Sequence, residues 1–170
     1  MMPVGWRRRS LVPSVEVPRG EKVLAVTRAT DGSVLAGTRD AFYVVRDGES
    51  RRVPWEQVEA ANWDRDTDTF RLSEVGSWGE PRPVHTATLT DPGRLLELVR
   101  ERVTASVVLQ RHVALGRRRS LRVIARRAPS GAGGVQWVYE YDEGVDPDDP
   151  EVRAAADKAL ELARRDVGLP

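Results

Sequence analysis

The chain has 170 residues, 40% hydrophobic and 31% charged, with a formal net charge of +1 and no cysteine. That composition excludes disulfides, thiolate nucleophiles and cysteine-ligated zinc. With His85 and His112 as the only histidines, it also excludes a multi-histidine metal centre. The near-neutral balance gives the whole molecule no electrostatic preference for nucleic acid, and no stretch approaches the ~20 apolar residues of a membrane helix.

Residues 1–18 carry the cluster Arg7-Arg8-Arg9 with no apolar run after it, so they do not read as a secretory signal. They are expected to be a flexible leader, and the protein to be cytoplasmic. From Glu21 the pattern is strand after strand. "KVLAVTRAT" and "SVLAGT" flank Asp31-Gly32, a hairpin signal. "AFYVV" follows, then a second turn at Asp47-Gly48, then "SRRVPWEQVEAANW", in which Pro54 demands an edge strand or a bend. "TFRLSEV" alternates Phe70 and Leu72 against Thr69, Arg71 and Ser73, and the alternation fails at Glu74. After the polar loop "GSWGEPRP" comes "VHTATLT". About seven short strands with regular turns predict an antiparallel sandwich or barrel.

The period then changes. "DPGRLLELVRERV" predicts a helix with Asp91 as N-cap, Pro92 at the first position and a stripe of Leu95, Leu96, Val99 and Val103. Three further strands follow: "SVVLQRHV" and "SLRVIARR" around the turn "ALGRRR", and "VQWVYEYD" after the loop "APSGAGG". "DPEVRAAADKALELARRDVG" closes the chain as a second helix, capped by Asp149-Pro150 and Gly168, with Val152, Ala156, Ala159, Ala163 and Val167 on one face. The fold class is α+β: about seven strands capped by a helix, then a small three-stranded antiparallel sheet with a C-terminal helix. The expected division is 1–18, 19–105 and 106–170, with the last unit docked on the first.

The first half resembles the bacterial PH-like domain family. Gly20-Glu21 opens the first strand, Thr38, Arg39 and Phe42 introduce the third, and Pro54, Trp55 and Val58 close the segment after the fourth. The likeness covers residues 19–105 and implies a PH-like sandwich plugged by a helix. It brings no catalytic residues, and domains of this kind are mostly binding or assembly modules. The mixed charges of Lys22, Arg28, Asp31, Arg39 and Asp40 argue against a phosphoinositide pocket between the first strands.

"WDRDTDTF" begins like a calcium loop, with Asp64, Asp66 and Asp68 alternating. An EF-hand needs Gly at its sixth position and Glu at its twelfth. Here those are Thr69 and Val75, so a polar hairpin tip is expected. In "DEGVDPDDPE", Asp149 belongs to the helix cap and the other acids to a loop. Neither histidine has a catalytic context; each is expected to be a cross-strand hydrogen-bond partner. No phosphate-loop or nucleophile-elbow motif occurs, so no metal, cofactor or enzymatic activity is expected.

Two surfaces remain. Arg111, Arg117, Arg118, Arg119, Arg122, Arg126 and Arg127 occur with no acid between them. They are either a patch for phosphate or an acidic partner, a charged sheet edge, or partners of the acidic stretch before the last helix. Trp6 and Trp78 fall in predicted loops, where tryptophan suits an interface. The leading expectation is a non-enzymatic protein-binding or self-assembly module. The alternative is nucleic-acid or anionic-lipid binding through the arginines of 111–127.

Overall fold

A computed structural model describes residues 13–77 and 79–169. Strands β1 (Ala25–Arg28), β2 (Val34–Gly37), β3 (Ala41–Arg46) and β4 (Glu49–Pro54) form a four-stranded sheet in sequence order, and β5 (Val58–Asp64), β6 (Thr69–Glu74) and β7 (Val84–Thr88) form a second of three. Helix α1 (Leu95–Ser106) follows. The third sheet is β10-β9-β8, from β8 (Val107–Gly116), β9 (Arg119–Arg126) and β10 (Gln136–Tyr141), and helix α2 (Pro150–Asp166) ends the chain. Every neighbouring pair is antiparallel. The expected order of seven strands, helix, three strands and helix is the order observed. Among the described residues no helix is long and apolar enough to cross a membrane.

The turns follow from local chemistry. Asp47 and Gly48 join Arg46 to its partner Glu49 with φ of 52° and 81°; both central residues are left-handed, as a two-residue hairpin requires. Pro54 ends β4, the edge strand of its sheet, and a single 3-10 turn (Trp55–Gln57) redirects the chain into β5. Thr38 is fully buried. Its hydroxyl accepts the N–H groups of Asp40 (3.2 Å) and Ala41 (3.1 Å) and donates to Glu21 Oε2 at 2.7 Å. Tyr43 Oη (2.8 Å) and Arg52 Nη2 (2.6 Å) converge on the same carboxylate. Burial would raise the pKa of Glu21, but the bonds from Thr38, Arg52 and Tyr43 outweigh it and hold it below the usual glutamate range. The Gly-Glu opening and the Thr-Arg turn are therefore two halves of one network.

The two sheets of the first unit share one hydrophobic cluster with α1. Trp55, Phe42 and Phe70 are its largest members, with Phe42 6.1 Å from the Trp55 ring and 5.8 Å from that of Phe70. Leu95, Leu98 and Val99 enter it from α1. Gly37 lets the helix approach: a Cβ there would lie 2.6 Å from Leu98 Cδ2. Glu74, where the strand alternation failed, nonetheless keeps the inward side of β6. Its carboxylate takes two bonds from Arg51 (3.1 and 2.6 Å) and one to His85 Nε2 (2.7 Å). The strand ends there, and the buried charge is neutralised by an arginine from the other sheet.

The start of α1 differs from expectation. The helix begins at Leu95, after Arg94, and no side chain caps it. Asp91 instead accepts the N–H of Gly93 at 3.1 Å, while its carbonyl accepts the Thr27 hydroxyl at 2.6 Å. Asx-turn chemistry competes with the N-cap, and here a tie to β1 favours the turn. The buried stripe is Leu95, Leu98, Val99 and Ser106, whereas Leu96 and Val103 are only half-buried.

In the second unit α2 packs its alanines, Ala156, Ala159 and Ala163, towards the sheet. Leu121, Val123, Ala156 and Ala159 are the buried members of a separate, smaller cluster bordered by Val113, Trp137, Tyr139 and Tyr141. Asp149 Oδ1 accepts from Glu151 N (2.8 Å) and Val152 N (3.4 Å), so the second predicted cap forms. At the other end Gly168 (φ 71°) and Leu169 return their N–H groups to the Arg165 and Arg164 carbonyls, the paired bonds that close a helix through a left-handed glycine. No loop separates α1 from β8. Ser106, the last helical residue, is fully buried and accepts Arg126 Nη1 on its hydroxyl (3.2 Å) and the Arg127 N–H on its carbonyl (2.9 Å).

Candidate interaction site beside an edge strand

β5 is the edge of its sheet, paired only with β6. It opens with a bulge between Val58 and Ala60. The carbonyl of the bulged residue, Glu59, accepts Arg126 Nη2 at 3.3 Å, which blunts the first part of the edge. From Ala60 to Asp64 the strand runs beside α1. The helix commits Leu95, Leu98 and Val99 to the core, and the β5 positions opposite its remaining apolar residues are the small Ala61 and the half-buried Trp63. Helix and strand therefore diverge, leaving a groove of about 470 Å³. Its floor is Phe70 and Val99, its walls Trp63, Leu96 and Val103, and its rim Asn62, Arg100 and Thr104.

This arrangement places an apolar trough next to an unpaired strand edge. Unpaired main-chain groups on a strand edge can pair with an extended segment, and an adjoining trough can take its alternate side chains. Trp63 and Leu96 provide apolar surface without a titratable group among the floor and wall residues. The polar side chains of the groove are those of Asn62, Arg100 and Thr104 at its rim.

The seven arginines do not form one exposed face. Arg111 lies on the α2 side of the sheet and pairs with Asp166. Arg117 and Arg118 form the two-residue β8–β9 turn, both left-handed (φ 50° and 59°) and exposed. Arg119 donates to the Gly144 carbonyl at 3.0 Å, inside the acidic stretch. Arg122 and Arg126 share the face away from α2; Arg122 pairs with Glu140, and Arg126 is 3% exposed. Arg127 is exposed. Trp6 and Trp78 lie outside the described residues.

The aspartates of "WDRDTDTF" sit at the β5–β6 tip. Asp64 Oδ1 accepts Asp66 N (2.9 Å) and Thr67 N (3.3 Å), and these bonds hold its pKa below the usual range. In the second acidic stretch Asp142 accepts the Ser120 N–H (2.6 Å) and hydroxyl (2.7 Å), and Asp148 pairs with Arg153. His85 is a cross-strand hydrogen-bond partner, as expected. The groove itself had one faint signal in the sequence: the Ala60-Ala61 pair in a strand whose neighbours are large.

No family model, no curated protein and no solved structure matches the chain.

Proposed function

We propose that the protein is a non-enzymatic, cytoplasmic interaction module built on a PH-like fold, and that it captures an extended segment of a partner protein between β5 and α1. The reading of the fold is supported by two antiparallel sheets and a helix meeting in one cluster, with Trp55 and the Glu21–Thr38 network at the positions that carry the resemblance. The functional reading rests on one observation: the free edge from Ala60 to Asp64 runs along an apolar groove. A strand added there would gain main-chain bonds from β5 and place alternate apolar side chains against Trp63, Leu96 and Val103.

The test is a random-peptide display screen against the whole chain. Recovered peptides should be extended, with apolar residues at every second position, and should protect the amides of 60–64 from hydrogen exchange. Val103 is half-buried, so Val103→Asp should keep the melting temperature within a few degrees and abolish capture. Peptides that bind this variant equally well, or that protect no amide of β5, would end the proposal.

The polyanion reading has fewer residues behind it than the arginine count suggests, because Arg111, Arg119 and Arg122 are engaged within the chain and Arg126 is buried. Steep loss of affinity for single-stranded nucleic acid with rising salt would favour it over the groove.

A further inference from the structure

The polar faces of two sheets look at each other across the junction of the units. β6 turns Phe70, Leu72 and Glu74 inward, so Arg71 and Ser73 face outward beside Asn62 of β5. β9 turns Leu121 and Val123 towards α2, so Arg122, Ile124 and Arg126 face the first unit beside Glu140 of β10. Between them lies a cleft of about 540 Å³, into which Arg82 also reaches from the β6–β7 loop. Four guanidinium groups (71, 82, 122, 126) and two carboxylates (Glu59, Glu140) line it, leaving an excess of two positive charges.

The pairing is uneven. Glu59 is bound by Arg82 and Glu140 by Arg122. Arg71 and Arg126 are ion-paired with no described residue. Arg126 is 3% exposed, and its acceptors among the described residues are neutral: the Ser106 hydroxyl and the Glu59 carbonyl. Its Nε has no partner among the described residues. A guanidinium has five N–H donors, so most of its hydrogen-bonding capacity is unused. A buried cation without a matching anion is strongly disfavoured. Burial accordingly pushes its pKa down, against the opposing pull of Glu140 and Glu59.

We propose that this cleft binds a compact dianionic oxyanion of the phosphate class, held between Arg71 of the first unit and Arg126 of the second, with Arg82 and Arg122 at its sides. The doubly negative group matches the charge excess of two, and the planar fork of arginine suits its oxygens. The site needs both units, and it borders the groove on the α1 side of β5, with Asn62 at the edge of both.

Binding is measured on the full chain by calorimetry and thermal melting at constant ionic strength, with inorganic phosphate as probe and acetate and chloride as controls. Vesicles of phosphatidylcholine with and without phosphatidic acid form a second arm. Phosphate should bind and raise the melting temperature, with acetate and chloride inert. Arg71 is exposed and unpaired, so Arg71→Gln should fold normally and weaken phosphate binding at least about tenfold. Arg126→Met should fold and lose the response to phosphate, with a lower melting temperature without phosphate because it gives up its bonds to Ser106 and Glu59 across the junction. Binding to phosphatidic acid vesicles but not to free phosphate, lost in Arg71→Gln, assigns the same chemistry to a lipid headgroup. No response in either arm overturns the site, as does acetate binding as well as phosphate, or phosphate binding unchanged in both variants.

Discussion

The two units solve the problem of a core in opposite ways. The first converges two sheets and a helix on large rings, with Trp55, Phe42 and Phe70 buried at its centre. The second lays a helix of alanines on one sheet, and its aromatic residues, Trp137, Tyr139 and Tyr141, stay partly exposed at the border. Small side chains bring α2 close but bury little area each, and burial is what offsets chain entropy. The first unit thus has the means to hold itself together, whereas the second draws on its neighbour through Ser106, Arg126 and the Gln57–Gln136 contact.

The sharpest test of that difference is to separate the units. A fragment of residues 107–169 should show no exchange-protected amides, since so short a unit is marginal without help, while the same amides should be protected in the full chain. A folded monomeric fragment would erase the contrast. Next in size is Trp55→Ala, which empties the middle of the larger core and should cost about 3–5 kcal/mol. Because the second unit depends on the first, urea melts should show both units lost together. A variant in which α2 survives would show the dependence to be overstated.

Ala159→Leu probes the other side. Overpacking a close helix–sheet seam costs about 1–3 kcal/mol, and the damage should stay in the second unit, visible as faster exchange in β8 and β9 with β1 to β7 unchanged. The smallest expected effect separates the units by pH. Glu74 is the one buried carboxylate among the described residues, and it belongs to the first unit. Burial would raise its pKa, but Arg51 and His85 outweigh this and hold it low. Its contribution is therefore fully present above the unfolded value of about 4.3, and is lost as pH falls through the lower folded value. Glu74→Gln should flatten the acid limb of the melting-temperature profile; an unaltered limb would assign acid sensitivity elsewhere.

Much of this architecture was legible in the chain, because strand alternation, Asp-Gly turns and the Asp149-Pro150 cap are local signals that tertiary structure left in place. Asp91-Pro92 misled for a local reason too: the same residue types serve an Asx turn, and only the contact with Thr27 decides between them. The candidate sites were far less visible. Arg122 and Arg126 could be placed on one face from their spacing, but Arg71 and Arg82 join them only through the fold. The groove depends on where α1 leans, which the pattern Leu95-Leu96-Val99-Val103 left open by one position. Half-buried Leu96 and Val103 carry the same periodicity as buried Leu98 and Val99.

The passage from helix to strand at Ser106 also sets how the two units are inherited. A linker would let either be exchanged as a cassette, but here the last helical residue and the first strand residue are neighbours: Ser106 accepts the Arg127 N–H from the sheet, and the Val107 N–H bonds back to the Thr104 carbonyl of the helix. One inserted residue would turn β8 over, because side chains alternate with every step. Leu109 and Val113 would then point at the guanidinium groups of the cleft, and Gln110 and His112 at the alanines of α2. The phase of the second sheet is thus fixed by the length of the first unit's helix, and the two are expected to vary only as a pair.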